Sequence, residues 1–180
     1  MRRRTPDVSF GQVWPTLAES QGWKFTPADN GSGTIRGQYE DFPVLIPPRS
    51  RFRRPGSYLQ IELTVSNPRD CYFKLSSGFR SSILKRYDAK SLTVGDKTFD
   101  RQFLLSGDPE PLVPQCFKSV VLRQKLLKAR WMGSLEIKLF EQTLTFLLKD
   151  QGMANVRHME SYLEALAALA RVIEALKPLV

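Results

Sequence analysis

Histidine is almost missing from this chain: His158 is the only one in 180 residues. Serine and cysteine hydrolases of the usual kind need a histidine beside the nucleophile, and the elbow G-x-S-x-G occurs nowhere. His158 lies near the start of the last predicted helix and reads as a surface residue. Cysteine is scarce too, with only Cys71 and Cys116. Two cysteines cannot frame a disulfide-built secreted domain, and they read as reduced core residues. The positions 71, 116 and 158 match no zinc-ligand spacing, so neither a metal nor a cofactor is expected. No apolar run approaches the roughly 20 residues of a spanning helix. The basic start, MRRRTPDVSFGQVW, lacks the apolar segment of a signal peptide. The expectation is a cytoplasmic protein with no transmembrane segment.

Acidic residues are also in short supply, 18 Asp and Glu against 27 Lys and Arg, for a net charge of +9. Such a balance favours anionic partners: an acidic protein or larger complex, nucleic acid, or an anionic membrane surface. With 42% hydrophobic and 25% charged residues, the composition is that of an ordinary globular chain. Its length suits one domain, 1–180, with residues 1–8 a flexible basic tip and halves 9–90 and 91–180 sharing one core.

Phe10, Val13, Trp14 and Leu17 recur at helical spacing between residues 9 and 21, which predicts a short amphipathic helix; Pro15 is tolerable only if the helix starts near it, and Gly22 is a natural stop. Residues 27–33 read as a loop. Its Gly31-Ser32-Gly33 lacks the Lys-Ser/Thr of a phosphate-binding loop. Thr34–Glu40 and Phe42–Pro47 read as a hairpin turning at Glu40-Asp41. Leu59, Ile61, Leu63 and Val65 alternate with polar positions and predict a strand over 58–65; Cys71–Leu75 predicts another. Ser82–Tyr87 is a weak helical turn.

The stretch 95–128 is expected to carry a strand (Phe99–Leu105), a polar turn (Ser106–Pro109) and a helix opened by prolines and running to Lys128. Ser134–Phe140 and Thr143–Leu148 then form an antiparallel hairpin. From Asn155, a plausible N-cap, the apolar period changes. Met159, Tyr162, Leu163, Leu166, Leu169, Ala170, Ile173 and Leu176 form one stripe that should cover the sheet.

Carboxylates gather at Asp96, Asp100, Asp108 and Glu110. Turn and helix-start chemistry explains Asp108-Pro109-Glu110 better than acid–base catalysis, and neither a pocket nor a set carboxylate separation can be read for the group. Two basic features remain. One is a proline-bounded loop holding Arg49, Arg51, Phe52, Arg53 and Arg54. The other is the segment with Lys118, Arg123, Lys125, Lys128 and Arg130, which contains no acidic residue. Arginine beside an aromatic suits phosphate contact with base stacking, yet no recognised nucleic-acid-binding motif accompanies either feature.

The pattern G-D-x-x-F-D-x-x-F at Gly95, Asp96, Phe99, Asp100 and Phe103, followed by Gly107-Asp108 and by Leu122, Arg123, Leu126 and Leu127, resembles a group of bacterial proteins of unknown function. They occur notably in cyanobacteria. Trp14, Gly37, Tyr39 and the strand over 58–65 extend the resemblance. It implies a stand-alone α+β domain and supplies no catalytic residue to transfer.

Together these readings predict an α+β fold, a mostly antiparallel sheet covered by helices with a long amphipathic helix at the C-terminus. The function they favour is non-enzymatic. The chain would act as a binding or accessory protein docking on an acidic protein surface through its basic loop. The alternative is a nucleic-acid-binding protein using the same loop and the helix 118–130.

Overall fold

A computed structural model describes residues 10–28, 33–48, 57–77, 91–130, 134–150 and 156–176. Eight strands form one sheet, antiparallel throughout, in the order β1-β2-β3-β4-β8-β7-β5-β6. They are β1 (Lys24–Pro27), β2 (Gly33–Tyr39), β3 (Phe42–Ile46), β4 (Ser57–Thr64), β5 (Tyr72–Ser77), β6 (Phe103–Asp108), β7 (Ser134–Phe140) and β8 (Thr143–Asp150). The helices are α1 (Phe10–Ser20), α2 (Lys97–Gln102), α3 (Val120–Arg130) and α4 (Val156–Glu174), with a 3-10 turn at Val113–Phe117. The chain is thus an α+β protein, as its alternating and helical periods predict.

Period-two alternation decides which face of the sheet is dry. Register carries one buried row across the molecule: Val44 pairs with Leu63, Leu63 with Leu144, Leu144 with Leu139, and Leu139 with Phe73. All five are buried. The intervening positions, such as Lys74, Lys138 and Thr64, point the other way and are exposed. α4 lies on the dry face with one side in solvent at Glu160, Glu164 and Arg171: its Met159, Leu163, Leu166 and Ala170 are fully buried, and Phe146 stacks on Tyr162 at 4.9 Å. The predicted stripe therefore covers the sheet. The expected N-cap, Asn155, lies outside the described residues, as do Ser82–Tyr87 and residues 1–9.

Both predicted hairpins turn where expected. Glu40 (φ 54°) and Glu141 (φ 51°) take the left-handed backbone of their tight turns. The sequence pattern does not announce β1. What holds it is Trp23, whose Nε1 donates to the Gln38 carbonyl at 2.9 Å and whose indole lies over Gly37. A Cβ on Gly37 would stand 2.1 Å from that ring. Gly37→Ala is therefore expected to displace Trp23 and cost about 1–3 kcal/mol, the usual range for overpacking. Thermal melting with tryptophan fluorescence checks this; a variant with wild-type emission and melting temperature would refute it.

The sheet's edges are protected. β1 is four residues long and ends in Pro27, and Leu92 bridges to Leu105 on the outer side of β6, donating its N–H to the Leu105 carbonyl at 2.8 Å. Short, proline-ended or covered edges resist strand addition by other chains.

The stretch 95–128 departs from expectation in three places. Phe99–Gln102 is helical, because Asp96 Oδ1 accepts the N–H groups of Thr98 (3.0 Å) and Phe99 (3.1 Å) and so caps α2. Only from Phe103 does the chain run as a strand. Ser106, Gly107 and Asp108 are not a turn; they continue β6 against Lys74, Phe73 and Tyr72. A Cβ on Gly107 would meet the Tyr72 carbonyl oxygen at 2.2 Å, so this close pairing requires glycine. The turn falls instead after the cis Asp108–Pro109 bond, where Leu112 N–H donates to the Pro109 carbonyl at 2.9 Å. Finally, the proline-opened helix is two pieces, the 3-10 turn and α3. α1 also differs: it begins at Phe10, so Pro15 sits inside it and removes one helical donor.

Candidate interaction surface

Ser119 starts α3. Its Oγ accepts the Leu122 N–H at 3.3 Å, and its carbonyl accepts the Arg123 N–H at 3.1 Å. Leu122, Leu126 and Ala129, spaced by four and three, turn one face to the core. The opposite face carries Val121, Gln124 and Lys128 in the open, with Lys118 and Val120 exposed at its start. Val120 is 56% and Val121 62% exposed, two of the four large apolar side chains left in solvent among the described residues.

The predicted cations divide by environment. Lys118 and Lys128 are exposed. Lys125 is partly so, and its Nζ meets Glu164 of α4 at 2.8 Å, an exposed pair of the kind that contributes little stability. Arg123 is committed to the fold. Its Nε donates to Asp96 Oδ2 at 2.9 Å, and its Nη1 donates to the carbonyls of Phe117 (2.9 Å) and Lys118 (2.6 Å). One guanidinium thus joins the cap of α2 to the end of the 3-10 turn. Arg130 ends α3. Arg49, Arg51, Phe52, Arg53 and Arg54 lie outside the described residues, in the connection from β3 to β4.

Asp96 and Asp100 serve this frame too. Asp100 reaches back to accept the N–H groups of Val94 (2.9 Å) and Gly95 (3.0 Å), and Gly95 holds φ 88°. The Phe99 N–H and then the Arg123 guanidinium hold the Asp96 carboxyl below the usual carboxylate range. Each polar member of the G-D-x-x-F-D-x-x-F pattern thereby has a structural partner. Phe99 and Phe103 stack in the core at 4.6 Å. Asp108, expected at a helix start, instead ends β6 and is exposed.

His158 is half-buried rather than on the surface, with Nδ1 enclosed and unpaired. Cys71 and Cys116 are both buried and unbonded; burial pushes the Cys116 thiol up to about 12. Among the described residues no three His, Cys, Asp or Glu side chains gather as a metal site would require. Nor is any described helix long and apolar enough to cross a membrane.

No protein-family model matches the chain, and no curated protein does. Among solved structures, its fold is similar to the crystal structure of the mycobacterial trehalose monomycolate transport factor A, TtfA. The TM-score is 0.63 and the identity 10%, over 94% of this chain and 97% of that one. At this identity the likeness shows a shared fold.

Proposed function

We propose that this chain is a non-enzymatic accessory protein that docks on an acidic surface of another protein or larger complex, using the outer face of α3 together with the Arg49–Arg54 loop. One observation carries the reading: two bare valines, Val120 and Val121, sit among Lys118, Lys125 and Lys128 on a segment with no carboxylate of its own. Protein interfaces combine an apolar centre with a charged rim, and this face offers both. A phosphate backbone would take the lysines and leave the valines in water, which favours a protein over nucleic acid. A membrane-surface helix needs a broad apolar face, whereas here Leu122, Leu126 and Ala129 are spent on the core. The neighbour of like fold is a transport factor, and an accessory role suits this chain; membership of the cyanobacterial-type group belongs to the same proposal.

The test compares wild type with two variants, one carrying alanine at Arg49, Arg51, Arg53 and Arg54, the other Lys118→Ala/Val121→Ser/Lys128→Ala. Each is used as bait with and without nuclease, and captured proteins are identified and rebound in purified form. The expected result is an acidic protein whose rebinding falls about tenfold or more in either variant and ignores nuclease. Recovery that nuclease abolishes would establish the nucleic-acid alternative, and equal recovery by all three proteins would refute both.

A further inference from the structure

The other two exposed apolar side chains, Tyr72 (53%) and Phe140 (68%), lie on the opposite side of the molecule from the buried row. Phe73 pairs with Leu139, both facing the core, so Tyr72 and Phe140 occupy the next position of β5 and β7 and face away from it. They stand at the end of the sheet where β5 begins and β7 finishes. Two hydrogen bonds make this end firm. Asn67 Nδ2 donates to the Cys71 carbonyl at 2.7 Å and to the Glu141 carbonyl at 2.8 Å, tying the turn before β5 to the turn after β7.

Charge at this end runs against the chain's net +9. Asp108 pairs in register with Tyr72, Glu141 follows Phe140, Asp70 precedes Tyr72 by two residues, and Glu110 follows the end of β6. All four carboxylates are exposed; Arg69, between Asn67 and Asp70, is half-buried, with its Nε and Nη1 enclosed and without a hydrogen-bond partner. One step inward, Lys74 (3.1 Å) and Lys138 (2.8 Å) both pair with Glu136. Burial alone would raise the Glu136 carboxyl, but the two ammonium groups hold it below its usual range. Lys74 and Lys138, the lysines next to the rings on β5 and β7, are thus partly neutralised.

From this we infer that the Tyr72–Phe140 platform is a second docking surface, whose occupant is an arginine- or lysine-rich segment of a partner protein. A guanidinium or ammonium group can lie over an exposed ring while its charge faces the surrounding carboxylates. Phosphate, by contrast, would meet Asp108 and Glu141, the carboxylates next to the two rings. The face is separate from α3 and of opposite sign, so the chain would join a basic partner to an acidic one.

The test uses the whole chain and a fluorescein-labelled hexa-arginine peptide, read by anisotropy at low and moderate salt. Wild type is expected to bind the peptide, and Tyr72→Ala/Phe140→Ala to weaken binding about tenfold without altering the melting temperature, since both rings are exposed. Asp108→Asn/Glu141→Gln should weaken it as well and flatten its salt dependence, while Lys118→Ala/Lys128→Ala should leave it unchanged. Equal affinity in the ring variant would overturn the inference. So would labelled oligo(dT) binding that depends on the rings, or a ring-dependent dimer in sedimentation, which would make the occupant nucleic acid or a second copy.

Discussion

Leu166→Asp is expected to leave the chain unfolded. Leu166 is fully buried, and its neighbours Tyr162, Leu163, Ala165 and Ala167 are buried with it, while Glu164 of the same turn faces solvent. The substitution removes a leucine's apolar contact and puts a carboxylate where no described cation stands on the buried face. Losing the leucine side chain costs about 2–5 kcal/mol by itself, and an unpaired buried charge adds several more. That total is comparable with the whole stability of a domain, about 5–15 kcal/mol. Far-UV circular dichroism and soluble yield would report the loss, with Leu166→Ala as the milder companion. A Leu166→Asp variant with an unchanged melting temperature would mean that the stripe is a partner surface and not a core.

Phe117→Ala is the second large effect. Phe117 is fully buried where three rings converge: Phe73 of β5 meets it edge-on at 5.2 Å and Phe99 of α2 lies at 6.0 Å. It is the bolt between the 3-10 turn and the sheet. Its backbone carbonyl also accepts from Arg123 at 2.9 Å. Truncation is expected to cost about 3–5 kcal/mol, lowering the melting temperature by on the order of ten degrees in a chain of this size. A loss below about 1 kcal/mol would show that the turn is not packed against β5.

Both predictions concern elements that differ in how far sequence reveals them. α4 was legible because its apolar residues recur at 3.6-residue spacing within one continuous segment, and the strands over 58–65, 134–140 and 143–148 because they alternate. Those are local periods, and each fixes which side of its own element is dry. The hairpin turns at Glu40 and Glu141 are local too.

The stretch 95–128 departs from its local pattern for the converse reason. Phe99, Phe103 and Leu105 fit a strand as well as a helix followed by a strand, and the capping by Asp96 that decides between them is supported by Arg123, 27 residues away. Ser106-Gly107-Asp108 carries turn residues, yet pairing with Tyr72–Lys74 holds it straight, and glycine is there for close approach. The candidate surface divides in the same way. Sequence alone determined that the segment 118–130 is basic and free of carboxylates and that the chain carries a single histidine, His158. Only the tertiary structure decided that Arg123 is spent inside the fold, that Val120 and Val121 are left bare, and that Tyr72 and Phe140 meet acidic turns at one end of the sheet. Periodicity is a property of neighbours along the chain, whereas ion pairs and patches are set by strands and helices that meet across long loops, where spacing carries no signal.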